Sequence, residues 1–184
     1  VISDPLVRLV ELFRARAVSF GKFVLSSGRE STYYINSKKV LFHAEAAWLL
    51  GELLYQATSD LSISALGGLE VGAIPMTAAA LVRYHDHGAA MEGFFVRKQA
   101  KGHGSQSLIE GDLKAGDRVA ILDDVLTTGE SAMKAIAAVE AAGATVARVV
   151  CICDRLAGAR ERLAPYDYRP LFTIRDLGID PDSA

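Results

Sequence analysis

The residues with the greatest chemical capacity in this 184-residue chain lie together in Leu122-Asp123-Asp124-Val125-Leu126-Thr127-Thr128-Gly129-Glu130-Ser131. Two adjacent carboxylates follow an apolar run at 119–122 and precede a hydroxyl-rich turn, after which an Ala-rich helical pattern begins at Gly129. Such a run predicts a strand covered on both faces, with the chemistry placed where the strand ends. Ligands of open α/β sheets bind beyond the carboxyl ends of strands. The N-terminus of a following helix there offers unpaired N–H groups and partial positive charge to a phosphate. Thr127, Thr128, Gly129 and Ser131 are the expected cradle. The Gly-Lys-Ser/Thr of the Walker loop does not occur here, so the expected phosphate site is of another kind. Asp123 and Asp124 would repel a phosphate, but they can accept hydrogen bonds from paired vicinal hydroxyls or hold a divalent cation through oxygen. A phosphorylated ribose combines these features. The plainer alternative is a pair of acids capping a surface turn.

A second cluster is Arg97-Lys98-Gln99-Ala100-Lys101-Gly102-His103-Gly104-Ser105, which sets three cations and a histidine among glycines. The segment 97–111 reads as a long polar loop with little apolar anchorage. Long loops inside compact domains are usually functional, and a Gly-hinged basic one suits closure over an anion. A solvated charged loop is its alternative.

These residues need elements to position them. Leu6, Leu9, Val10, Leu12 and Phe13 follow a helical spacing, and further helices are expected over 44–56, 73–84 and 129–142, the last stopped by Gly143. Strands are expected over 62–66, entering a Gly67-Gly68 turn, and over 91–97 and 145–153. This alternation predicts a parallel sheet wrapped on both faces. Short strands near 23–25 and 33–36 are expected to form a flap over the carboxyl edge of the sheet.

The length suits one domain spanning 1–184, with about 1–40 contributing an N-terminal helix and hood. A composition that is 51% hydrophobic supplies a core. No apolar run approaches a membrane span, and the Val1 start lacks secretory-signal features, so no membrane association and a cytoplasmic location are expected. A net charge of −2 gives no electrostatic ground for nucleic-acid binding. Cys151 and Cys153 share one face of a strand, too close for an ordinary disulfide, and read as buried small hydrophobes. His85 and His87 flank Asp86 in a turn-like stretch, for which a solvated loop is favoured over a metal clip.

The Asp-Asp-x-x-Thr-Thr-Gly segment resembles the signature of the type I phosphoribosyltransferases. Within that family, Arg97-Lys98-x-x-Lys101-x-His103-Gly104 and Leu25-Ser26-Ser27-Gly28-Arg29-Glu30-Ser31-Thr32-Tyr33-Tyr34 resemble the orotate phosphoribosyltransferases. Gly67-Gly68-Leu69-Glu70-Val71-Gly72-Ala73-Ile74-Pro75 is similar to the pyrophosphate-side turn of that group, and Cys153-Asp154-Arg155 to its base-binding segment. The resemblance runs from about Phe20 to Leu177.

It implies an α/β fold, a type I phosphoribosyltransferase-like parallel sheet flanked by helices with a small N-terminal hood. The implied reaction is transfer of the 5-phosphoribosyl group from phosphoribosyl pyrophosphate to orotate in pyrimidine synthesis, giving orotidine 5-phosphate and pyrophosphate. By the same resemblance, Lys101, His103, Asp123 and Asp124 are catalytic. Arg97, Lys98, Lys101 and His103 close on pyrophosphate. Asp123, Asp124, Val125, Leu126, Thr127, Thr128, Gly129, Glu130 and Ser131 hold the ribose phosphate. Tyr34, Ile35, Thr127 and Arg155 contact orotate. The fixed fork of donors on Arg155 suits a carboxylate better than a lysine would, the alternative being an ion pair with Asp154 or Glu161. Tyr33 and Tyr34 can equally serve core and flap packing.

Mg²⁺ is the implied cofactor, bridged by substrate near Asp123 and Asp124 with its direct protein ligands unassigned. A homodimer is implied, with the basic loop reaching into the neighbouring site. Ser26 and Val71 stand where some relatives carry lysines, which leaves more of the neutralisation to Arg97, Lys98, Lys101 and either Lys38 or Lys39. The rivals are a regulator sensing phosphoribosyl pyrophosphate on this fold and a purine phosphoribosyltransferase. No helix-turn-helix extension or basic face favours the first, and the basic loop and Arg155 weigh against the second.

Overall fold

The computed structural model describes residues 4–24, 30–99 and 108–181. Helix α1 (Pro5–Arg16) starts where the Asp4 side chain accepts a hydrogen bond from the Leu6 N–H at 2.8 Å and Pro5 occupies the first turn. Its apolar spacing then buries Leu9, Leu12 and Phe13. Strands β1 (Val18–Val24) and β2 (Glu30–Ile35) pair antiparallel as the expected hood. Alternation along β2 turns Ser31 and Tyr33 inward and leaves Thr32 and Tyr34 outside. The chain continues through α2 (Lys38–Leu41), α3 (Ala44–Thr58), β3 (Ala65–Leu69), α4 (Ala73–Asp86), β4 (Glu92–Val96), β5 (Ile109–Gly111) and β6 (Arg118–Leu126). It ends with α5 (Glu130–Ala141), β7 (Thr145–Asp154), α6 (Ala159–Arg162), β8 (Tyr168–Thr173) and a 3₁₀ turn at Ile174–Leu177.

Six strands form one sheet in the order β5-β4-β3-β6-β7-β8, parallel throughout except for β5. Both faces are covered, as the apolar runs predict. Ala120 and Leu122 of β6 join a cluster with Phe13, Leu50, Leu54 and Met76, while Val119 and Ile121 join one with Ala135, Ile136 and Val139 of α5. The two-residue period of a strand thus assigns the side chains of β6 to opposite layers.

Several boundaries differ from the sequence expectation. Strand β6 does not stop before the acids, because β7 keeps pairing with it through Asp123↔Cys151, Val125↔Cys153 and Leu126↔Asp154. The carboxylates are therefore part of the strand. Strand β3 runs on through Gly67-Gly68, where a turn was expected. A Cβ on Gly67 would overlap the Phe94 carbonyl and one on Gly68 the Leu122 carbonyl, so these glycines permit close strand approach. Part of the expected polar loop is the antiparallel edge strand β5, too short for a periodic signal. The His85-Asp86-His87 stretch is the end of α4, with Asp86 paired to Arg83 at 2.9 Å and His87 stacked on Tyr55 at 3.9 Å between ring centres. Cys151 and Cys153 are buried and free, as expected. Among the described residues, no helix is long and apolar enough to cross a membrane.

Candidate active site

Asp123 and Asp124 sit on opposite faces of β6, and each meets a different set of partners. Asp123 faces α5, where the Ser131 hydroxyl in the first helical turn donates to its carboxylate at 2.6 Å. Burial pushes its carboxyl up to about 7, the neighbouring Asp124 adds to the rise, and the Ser131 hydrogen bond opposes it. Asp124 faces the hood. Its Oδ2 accepts from Lys38 Nζ at 2.8 Å and from the Ser37 hydroxyl, both at the exit from the hood. Burial works to raise this carboxyl, yet the Lys38 ammonium and the Ser37 hydroxyl outweigh it and hold Asp124 below the usual carboxylate range. The two acids are thus tuned apart.

A third segment reaches Asp124. Gly72, between β3 and α4, is so close that a Cβ there would stand 2.5 Å from Asp124 Cγ. The same turn carries Glu70, whose N–H donates to the Val96 carbonyl and whose carboxylate accepts from the Lys98 N–H, each at 2.8 Å. It therefore also fixes the base of the basic loop. Val71 is exposed in this turn.

Past β6 the chain turns through half-buried Thr127 and Thr128 to Gly129, which at φ 76° occupies the left-handed region before α5. The free N–H groups of α5 then open beside Asp123. Val125 is partly buried, whereas the Leu126 side chain lies in the core and its carbonyl accepts from the Arg155 N–H at 2.8 Å. The part Leu126 plays is hence positional, since its side chain cannot reach a ligand. Glu130 points outward and pairs with Lys134 at 2.8 Å, one helical turn on.

Arg155 follows β7 and lies beside the end of β6. Its side chain pairs with neither Asp154 nor Glu161. Instead Nε donates to the Tyr33 hydroxyl at 3.1 Å, and the guanidinium carbon lies 4.8 Å from the centre of the Tyr33 ring. Tyr34 is exposed and packs on Phe23 at 5.7 Å between ring centres, and Ile35 is partly buried against the core.

Among the described residues, Arg97 and Lys98 make no hydrogen bond or ion pair with Asp123 or Asp124. Arg97 Nη1 is 3.5 Å from Glu110, and both cations line a cavity of about 500 Å³ with Leu69, Lys134 and Ala138, on the α5 side of β4. Lys101, His103 and Ser26 lie outside the described residues. Among the described residues, no three carboxylate, imidazole or thiol groups cluster as a metal site.

Of the residues named from sequence, the structure groups Asp123, Asp124, the Thr127 to Ser131 turn and Arg155 about the ends of β6 and β7. The sequence places Gly72 only in the pyrophosphate-side turn and Tyr33 only in packing, without their contacts to Asp124 and Arg155, and does not single out Ser37. The inward phase of β2 was the available signal for Tyr33. No local signal links Ser37 to an acid 87 residues away.

Known proteins resemble this chain in sequence and fold. A family model described as the phosphoribosyl transferase domain matches residues 43–172. The orotate phosphoribosyltransferase of Corynebacterium glutamicum is 41% identical over 180 residues, covering 97% of this chain and 96% of that protein. The crystal structure of Mycobacterium tuberculosis orotate phosphoribosyltransferase in complex with Fe(III) dicitrate superposes with a TM-score of 0.84 at 39% identity, covering 96% of this chain and 100% of that one. The same enzyme in complex with 5-phospho-alpha-D-ribosyl 1-diphosphate gives a TM-score of 0.81 at 35% identity, with the same coverage. With the family model spanning most of the chain and relatives of this identity matching nearly end to end, the chain belongs to the type I phosphoribosyltransferase family, among the orotate phosphoribosyltransferases.

Proposed function

We propose that this chain transfers the 5-phosphoribosyl group of phosphoribosyl pyrophosphate to a ring nitrogen of orotate, releasing pyrophosphate and forming orotidine 5-phosphate. One observation carries the reading. The end of β6 carries two carboxylates on opposite faces and a helix N-terminus, and beside it lies Arg155, whose Nη groups carry no hydrogen bond among the described residues. Each matches a part of the substrates: ribose hydroxyls, 5-phosphate and the orotate carboxylate.

Loss of pyrophosphate builds positive charge on the sugar and negative charge on the leaving group. Catalysis is then electrostatic and positional, with no covalent enzyme nucleophile. The N–H groups opening α5, with the hydroxyls of Thr127, Thr128 and Ser131, hold the 5-phosphate. Asp124, kept ionised, accepts a ribose hydroxyl and favours the cationic character developing on the ring. Asp123 orients the sugar from the other face of β6. Arg155 grips the orotate carboxylate, Thr127 contacts the base, and backbone groups around Tyr34 and Ile35 read the ring edge. Lys38 rather than Lys39 is the cation at hand to offset the missing charge at Ser26 and Val71, since its Nζ already lies beside Asp124.

Mg²⁺ is the cofactor the resemblance implies, its direct protein ligands unassigned; near the carboxylate oxygens of Asp123 and Asp124 it would offset negative charge on the diphosphate. The chain would work as one domain whose residues 1–40 supply a helix and hood, and as a homodimer. In the dimer, Arg97, Lys98, Lys101 and His103 would serve the neighbouring site, as the resemblance implies. The test incubates the chain with phosphoribosyl pyrophosphate, Mg²⁺ and either orotate, uracil, adenine or hypoxanthine. Consumption confined to orotate is expected. Turnover of a purine in its place, or of no base at all, would refute the reading.

A further inference from the structure

Arg155 is held at its backbone and at its side chain. Its N–H is bonded to Leu126 at the end of β6, and the next residue, Leu156, donates its N–H to Asp154 Oδ1 at 2.8 Å with a φ of 55°. Beyond the backbone, one described residue anchors the long side chain. Tyr33, only 2% exposed and part of the main core cluster, places its ring beneath the guanidinium and its hydroxyl against Nε. A guanidinium can meet a carboxylate sideways through Nε and one Nη, or end-on through both Nη groups. Here Nε is already spent, and among the described residues the Nη groups carry no hydrogen bond.

We infer that Tyr33 is a positioning residue for acceptor recognition: it fixes Arg155 so that only the end-on Nη fork faces the base site, which selects a planar acceptor with a carboxylate in line with that fork. Tyr33 belongs to the hood and Arg155 to the sheet, so the contact also ties the hood to acceptor specificity. A free arginine has many rotamers to lose on binding, and a ring below it plus a hydroxyl on Nε remove most of that freedom in advance. The stacking and the hydrogen bond are separable, because phenylalanine keeps the ring and loses the hydroxyl.

This inference rests on the transfer to orotate proposed above, and the test separates the two. KM for orotate and for phosphoribosyl pyrophosphate are measured for Tyr33→Phe, Tyr33→Leu, Arg155→Ala and the double variant Tyr33→Phe with Arg155→Ala, with melting temperatures alongside. Tyr33→Phe should raise KM for orotate roughly five- to tenfold, Tyr33→Leu further, with KM for phosphoribosyl pyrophosphate nearly constant. In the Arg155→Ala background Tyr33→Phe should add almost nothing, since the group it positions is gone. Parallel changes in both KM values, or additive effects in the double variant, would overturn the positioning role. Loss of orotate affinity in Arg155→Ala with none in either Tyr33 variant would overturn it too, while leaving the proposed function intact. If Arg155→Ala itself leaves KM for orotate unchanged, the base assignment fails and the inference fails with it.

Discussion

Replacing Gly72 by alanine isolates the geometry of the acidic pair. The backbone there has φ −61° and ψ −39°, a conformation alanine adopts freely, so any effect comes from the added methyl group. That methyl would lie 2.5 Å from Asp124 Cγ and 2.8 Å from Oδ2, where ordinary contact begins near 3.4 Å. Either the turn or the carboxylate must yield by about 1 Å, the difference between these values. Asp124 has little room to yield, being 8% exposed and tied to Ser37 and Lys38. Overpacking of this kind costs about 1–3 kcal/mol of stability. A shift of ~1 Å in a group that orients the sugar should lower kcat/KM on the order of 100-fold. Steady-state kinetics and urea unfolding of Gly72→Ala, Asp124→Ala and the double variant give the assay. Removing the carboxylate removes the clash, so Gly72→Ala should cost almost no stability in the Asp124→Ala background. Wild-type kinetics and stability in Gly72→Ala, or an equal stability cost in both backgrounds, would refute the reasoning.

Three other outcomes are expected. Burial pushes Asp123 up to about 7 when folded, against about 3.9 when unfolded, so the folded state holds the extra proton between those values, and its contribution to stability falls as pH rises from about 4 to 7 by about 1.4 kcal/mol per unit. Asp123→Asn should flatten that slope in melting curves, whereas Asp124, held low, affects stability only as pH falls below about 4; an unchanged slope in Asp123→Asn rejects the buried, protonated acid. Arg148 is buried and binds Asp60, Asp167 and the Ala57 carbonyl, so Arg148→Ala should cost about 3 kcal/mol, as urea unfolding would show, while the folded fraction keeps its KM values. A cost below about 1 kcal/mol would show that the network contributes little. Mixing inactive Lys101→Ala and Asp124→Asn proteins under subunit exchange should restore roughly a quarter of wild-type activity if the loop is shared across a two-fold dimer, and verified exchange without rescue would reject sharing.

Much of this molecule is local in origin and therefore legible in its sequence. The apolar runs of β6 and β7 announce strands buried on two faces, and their alternation with helices implies the parallel sheet. The Asp123 to Ser131 segment is contiguous, so a strand, a turn and a helix start place its groups together without help from elsewhere. Cys151 and Cys153 were legible as buried, unpaired thiols, although they enter different core clusters and not the one expected face. Tertiary structure decided what depends on separation along the chain. Pairing with β7, not the identity of the residues, carried β6 past its acids, and close strand approach turned Gly67-Gly68 from a turn into a strand. The opposite tuning of Asp123 and Asp124 follows from their faces: one is buried against α5 with the Ser131 hydroxyl, while the other meets Lys38 and Ser37 from the hood. Tyr33 under Arg155 is likewise a meeting of residues 122 positions apart. Local spacing cannot encode such contacts, because they exist only once hood and sheet have closed on a common core.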